Sequence, residues 1–407
     1  MIETVRDPGT GQSYRLDAAR PLATGGEAVV YNVPDHPGLV AKIYNPPRPE
    51  RATKLEFMLA NPPKNPTAAQ NHPAYAWPSA LLTTTTSSAI VGFLMPRITG
   101  MKEVFTFYNP GSRRRTLPKF DYRYLMQTAR NIAGVMAELH SRGYLIADVS
   151  QKNILVSDAA LVTVLDTDSF EFRDPKTNVL HLCSVRTPGF IAPEGYHAAP
   201  KDPRAVEEDR FALAVMVFHL LMEGVHPFAC KYSGQGEAPR LQQNVVAGRF
   251  PYKLSSSPVY QPMPIAPPFG MLPAEIQSLF IRCFVTGHQA PAERPTAKEW
   301  QKALTDASKN LTPCTKSKYH YYGNHLGAEC PWCARIARGF PDPFPEKMEP
   351  VKPPPVAAPR PRVEAAPAPA SAPQKPASAA ASPSPLKALL FIALAIGILL
   401  LLVGVFG

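Results

Sequence analysis

The sequence predicts an α+β protein in which a β-rich opening precedes a helical body and a tail of different composition. Three observations predict it. Residues 144–170, YLIADVSQKNILVSDAALVTVLDTDSF, read as a turn and two short strands, Ile154 to Val156 and Leu161 to Leu165, joined by the polar turn Ser157-Asp158. Asp121 to Arg142 spaces Leu125, Ala129, Ile132, Met136 and Leu139 at three and four, an amphipathic helix that Gly143 stops. EEDRFALAVMVFHLLMEG is apolar on nearly all faces, the pattern of a helix buried inside a domain.

With 407 residues and 48 prolines, the chain has room for one medium globular unit and something extended. A formal net charge of +11 fits anionic ligands, anionic lipid or nucleic acid. Six cysteines at this length make no disulfide framework. The opening MIETVRDPGTGQSY holds no apolar run, so no signal peptide is expected and the body is expected in a reducing cytosol. The run Arg113-Arg114-Arg115 lacks interleaved aromatics and reads as a solvated loop, which disfavours nucleic acid as a partner.

The hairpin at 144–170 carries chemistry at its ends. Asp148, Asn153 and Asp166 supply a carboxylate to orient an attacking hydroxyl and oxygen ligands to hold Mg²⁺ against phosphates, which is most of what phosphoryl transfer asks of a protein. IADVSQKN resembles the protein-kinase catalytic loop and VLDTDSF the strand leading into D-F-G. Further pieces follow the same order along the chain. LATGGEAVVY (22–31) resembles the glycine-rich loop, with Gly25 and Gly26 for close approach to phosphates and Ala23 and Ala28 in place of two glycines. LVAKIY resembles the strand V-A-I-K, which implies Lys42 as the α/β-phosphate ligand, with Glu56 its implied ion-pair partner and Glu50 the alternative. GFLMPRI resembles the segment between lobes, where backbone groups near Met95 would hold the adenine. Ala192-Pro193-Glu194 resembles A-P-E, Asp209 the aspartate that braces the catalytic loop, and Arg294 the partner of Glu194.

The resemblance is to the eukaryotic-like (Hanks-type) protein kinases. It implies a bilobal fold at 1–310, with a small lobe at about 10–96 and a large lobe at about 97–310. It also implies serine/threonine kinase activity with ATP, Mg²⁺ and protein substrates. Departures are visible. Ala147 stands where many kinases carry arginine, Ser150 replaces a common lysine, and Thr167 and Asp168 replace the Phe and Gly of D-F-G. The alternative is therefore a pseudokinase scaffold that binds nucleotide and recruits partners.

Residues 311–340 contain CTKSKYHYYGNHLGAECPWC, in which Cys314, His320, Cys330 and Cys333 can form a tetrahedral Zn²⁺ set, with His325 the alternative nitrogen. Such a ribbon ending in C-P-W-C is similar to that of a bacterial branch of kinase-like proteins. A Pro/Ala-rich linker at 341–386 is expected to form no core. ALLFIALAIGILLLLVGVF (388–406), within the tail 387–407, is long enough to cross about 30 Å of hydrocarbon. Lys352, Arg360, Arg362, Lys375 and Lys387 precede it, so a single-pass C-terminal anchor in the inner membrane with a cytoplasmic body is expected.

Overall fold

Alternating apolar residues in the first hundred positions make a twisted antiparallel sheet that buries one face. The computed structural model describes residues 2–253 and 257–346. Its strands are β1 (Thr4–Arg6), β2 (Ser13–Arg15), β3 (Ala23–Thr24), β4 (Ala28–Asn32), β5 (Leu39–Tyr44), β6 (Ala80–Thr84) and β7 (Ile90–Pro96), paired in the order β2-β1-β6-β7-β5-β4-β3. The sheet starts earlier than the expected residue 10, because Val5 of β1 is fully buried beside Leu82, Val91 and Leu94. On β5, Ala41 and Ile43 face that cluster. Lys42 and Tyr44 lie on the opposite face, as the two-residue period of a strand requires. Tyr44 packs there with Phe93 and with Leu55 of helix α1 (Ala52–Ala60). Gly92 permits this sheet to close: a Cβ there would lie 2.0 Å from the Lys42 carbonyl oxygen.

A second lobe follows. Strand β8 (Met101–Glu103) leads to helices α2 (Val104–Tyr108), α3 (Pro110–Thr116) and α4 (Tyr122–Ser141). Asp121 caps α4, accepting from Arg123 N–H at 2.9 Å, and Gly143 follows at φ 76°. The expected hairpin forms as β9 (Ile154–Ser157) and β10 (Val162–Val164), with β8 along the other edge of β9. Helix α5 (Val206–Leu221) is the apolar segment, buried from Phe211 to Phe218. Around it Phe218, Phe228, Phe250, Phe280 and Phe284 pack at ring-centroid distances of 5.0–6.4 Å.

The Cys/His module is a hairpin, Leu311–Pro313 with Tyr321–Gly323, and a short helix, Pro331–Ala337. It extends beyond the expected boundary at 340. Phe344 is buried against Trp332 and 4.6 Å above the guanidinium of Arg113, which is itself paired with Glu223 at 2.9 Å. Trp332 also meets Tyr122 at the start of α4. The proline-rich composition after Phe340 hid one aromatic with a place in the core. Among the described residues no helix is long and apolar enough to cross a membrane. The apolar run 388–406 and the linker from 347 onward lie outside the described residues.

Candidate active site

The hairpin and β5 bring four sequence-singled residues together. Lys42 Nζ lies 2.5 Å from Asp166 Oδ1, across 124 positions of chain. Asn153 Nδ2 donates to the Asp148 carbonyl at 3.2 Å and reaches its carboxylate at 3.4 Å. Leu165 N–H donates to the Asn153 carbonyl at 2.8 Å, which sets Asp166 beside Asn153. Asp166 adopts φ 55° and Ala147 φ 62°, left-handed conformations that cost a non-glycine residue about 1 kcal/mol or more and are held by surrounding contacts.

Those contacts are identifiable. The Asp209 carboxylate accepts the N–H groups of Ile146 (2.7 Å) and Ala147 (2.9 Å), and His140 Nε2 lies 3.1 Å from it. Arg204 donates to the Ala147 carbonyl at 2.5 Å and to the carbonyls of Cys183 and Val185. Its position thus ties the loop before the hairpin to the segment after it, a task that Ala147 leaves open in the sequence. Thr187 Oγ1 donates to Asp148 Oδ1 at 2.6 Å, and Arg294 grips both oxygens of Glu194 at 2.6 and 2.8 Å.

Gly25 and Gly26 sit in the exposed β3–β4 turn, where Gly25 N–H donates to the Ala28 carbonyl at 2.9 Å. Met95 is half-buried on β7 opposite Val40 of β5.

One implied pairing does not form. Glu56 is exposed on α1 and makes no ion pair among the described residues, and Glu50 pairs with Arg48 at 3.6 Å instead. The buried face of α1 is Lys54, Leu55 and Met58, and a glutamate one residue after Leu55 points about 100° away from it. Lys42 is instead bound by Asp168 at 2.5 Å, with the Asp168 side chain 1% exposed. Burial opposes the charge on Lys42, but Asp168 and Asp166 outweigh it and hold the ammonium above its usual range. Asp168 Oδ2 accepts from Tyr44 Oη at 2.9 Å and Arg51 at 3.0 Å. Arg51 also pairs with Glu27 of the β3–β4 turn. Sequence reasoning missed Asp168, Arg51 and Glu27 because their partners are distant in the chain.

The second cluster is a metal centre in form. The ligand atoms of Cys314, His320, Cys330 and Cys333 all lie within 4.8 Å of one another. Sγ of Cys314 and Cys333 are 3.6 Å apart, and His320 Nδ1 is 3.4 Å from Cys333 and 3.6 Å from Cys330. Those spacings match the edges of a tetrahedron around an ion with bonds of about 2.0–2.3 Å. Asp342 Oδ1 accepts from His320 Nε2 at 2.9 Å, which would leave Nδ1 free to ligate. His325, the alternative nitrogen, lies outside the cluster and meets the Gly270 carbonyl at 3.3 Å.

No family model matches the chain. It is 34% identical over 325 residues to the protein kinase YegI of Escherichia coli O157:H7, covering 79% of this chain and 49% of that one. The YegI of strain K12 is 33% identical over 335 residues, 81% of this chain and 50% of the relative. Over that span the chain belongs to a bacterial protein-kinase-like family. It spans about half the length of the curated relatives it matches. A solved ROP18 kinase domain in complex with AMP-PNP and sucrose aligns at TM-score 0.49 and 14% identity over 76% of this chain and 86% of that one. The sheet lobe and the helical lobe described above are the arrangement expected of the protein kinases that the chain resembles at 33–34% identity.

Lys54, a buried cation beside this site, makes neither an ion pair nor a side-chain hydrogen bond among the described residues. Lys54 is buried on α1, 5.9 Å from the Phe172 ring, and burial lowers its pKa to about 8, with Asp168 opposing. A lowered amine pKa means the unfolded chain binds the proton more tightly between about pH 8 and 10.5, so stability rises with pH across that window. Lys54→Met is expected to raise stability by about 1–3 kcal/mol at pH 7. The gain should shrink as pH approaches 10, read by thermal unfolding of both proteins.

Proposed function

We propose that the chain is a membrane-anchored serine/threonine protein kinase that transfers the ATP γ-phosphate to protein hydroxyls. The observation that carries this reading is the convergence of Asp148, Asn153, Asp166 and Lys42 on the ends of one hairpin. Asn153 and Asp166 are the oxygen donors suited to Mg²⁺, whose charge would offset that of the phosphates. Lys42 would bind α/β-phosphate oxygens, the β3–β4 turn with Gly25 and Gly26 would cover them, and the backbone near Met95 would meet the adenine. Asp148 would orient the acceptor hydroxyl and take its proton. Arg204 is already bound to three backbone carbonyls, so it holds the segment at 183–185 without a phosphate on exposed Ser184.

The scaffold reading is favoured by one observation. Ser150 is buried and accepts from Asn153 N–H at 3.2 Å, so no cation from that position can reach a transferring phosphate. One missing electrostatic contact costs roughly 10²–10³ in rate, which leaves a slow enzyme well above background. The membrane anchor rests on the apolar run 388–406 and the basic residues before it.

The decisive assay is transfer of labelled γ-phosphate from ATP to generic protein acceptors by the full chain. Asp148→Asn should abolish most transfer while leaving ATP affinity intact, whereas Asp166→Asn should weaken Mg²⁺-dependent ATP binding itself. Equal background transfer by wild type and Asp148→Asn, with both binding ATP, contradicts the enzyme reading. Ending the chain after Pro385 should move it from the membrane to the soluble fraction even in high salt.

The Cys/His cluster is proposed to hold one structural Zn²⁺. Its contacts meet the start of α4, while the catalytic loop follows the far end of this 20-residue helix, about 30 Å away. Chelation is therefore expected to release one zinc per chain and expose residues 311–344 to hydrogen exchange, with nucleotide affinity changed less than about twofold. Zinc content well below one per chain, measured by elemental analysis, would contradict it.

A further inference from the structure

We infer that Asp168 is the positioning residue for Lys42, in the place the resemblance gave to a glutamate on α1; this rests on the kinase reading of the site. Two carboxylates touch the ammonium, and they are not equivalent. Asp166 is 40% exposed on its side chain and is the oxygen donor suited to a metal. Asp168 is sealed at 1% and has no other task to leave for. Its second oxygen is fixed by Tyr44 and Arg51, so the oxygen facing Lys42 has a defined direction. A buried carboxylate with three donors is stable only while all three stay in place. Tyr44 lies two residues from Lys42 on the same face of β5, so one strand supplies two of the three donors.

The helix cannot do this work. The α1 region turns Arg51 and Lys54 inward, both cations, and puts Glu56 outside. Polarity across the gap is thus reversed: the hairpin brings the anion and the helix brings the cations. Arg51 extends the chain of pairs to Glu27, so the nucleotide turn, α1, the hairpin and β5 are linked through one carboxylate. A glycine at position 168, as the kinase pattern would have, offers no such group.

The test measures MgADP affinity by calorimetry on the full chain, a readout that needs no transfer, beside kcat and KM. Asp168→Asn keeps shape and one hydrogen bond, and is expected to weaken MgADP at least about tenfold and lower kcat/KM about 10²-fold. Glu56→Gln should change neither beyond about twofold. In a Lys42→Met background, adding Asp168→Asn should cause no further loss of affinity, because the partner it positions is gone. A purely structural role would predict a further loss. Should Asp168→Asn fail to fold, Tyr44→Phe removes one of the two donors that fix Asp168 Oδ2 and is expected to weaken MgADP about three- to tenfold. Unchanged affinity in Asp168→Asn or Tyr44→Phe, additive losses in the double variant, or a loss in Glu56→Gln would each overturn the inference. A wild type that binds MgADP but transfers nothing would end the enzyme reading alone, since the affinities still decide the role of Asp168.

Discussion

A carboxylate shut away from water has to be surrounded by donors, and Asp168 sets that condition for the whole cleft. Its neighbours Lys42, Tyr44 and Arg51 come from a strand and from the turn leading into a helix, more than a hundred residues earlier in the chain. Leaving any one unmade costs more than the bond itself contributes, because the charge stays buried. The sheet, α1 and the hairpin are therefore held in one arrangement by a single ionised group. Lys54 shows the cost of such a design. It is a buried ammonium near the same carboxylates without a bond to either, and burial drives its pKa down.

Behind this cluster stands a second set of ties that involves no nucleotide ligand. Asp209 holds the backbone of Ile146 and Ala147, and Arg204 holds the Ala147 carbonyl from the other side. Glu171 accepts the N–H groups of Arg204 and Cys183 at 2.7 and 3.1 Å, which fixes the segment after the hairpin. Asp148 sits on that framework with Thr187 bonded to it. The geometry of the loop is thus determined by neutral and charged groups that the chain carries itself.

Much of this was legible in the sequence, and the reason is order. The hairpin at 144–170, the lysine on an aliphatic strand, Asp209 and the Glu194–Arg294 pair appear in the order a kinase-like fold needs, and their local patterns are short and distinctive. What stayed hidden depends on pairing at long range. Glu56 offers the right charge, but Leu55 and Met58 at a spacing of three mark a different face of α1 as the buried one. Asp168 was visible only as a missing glycine. Arg204 was visible only as a missing arginine at position 147. Asp342 lies nine residues beyond Cys333 in a proline-rich stretch, and no spacing rule connects it to His320.

The Cys/His module adds a third fixed point, at the end of the large lobe away from the cleft. Arg113, buried and paired with Glu223, stacks on Phe344, and Trp332 fills the space beside Tyr122. It is joined to the lobe by the Arg113–Phe344 cation–π contact, by hydrogen bonds from Arg113 to the Pro343 carbonyl and from Arg335 to the Ala266 carbonyl, and by aromatic contacts, so the module and α4 form one packed body. The central claim, that the hairpin and not the helix supplies the anion for Lys42, is tested most directly by an experimental structure with Mg²⁺ and a non-hydrolysable ATP analogue. The account predicts Lys42 still bonded to Asp168, with Asp166 turned to the metal. Lys42 paired with Glu56 on a rotated α1, with Asp168 released, would contradict it.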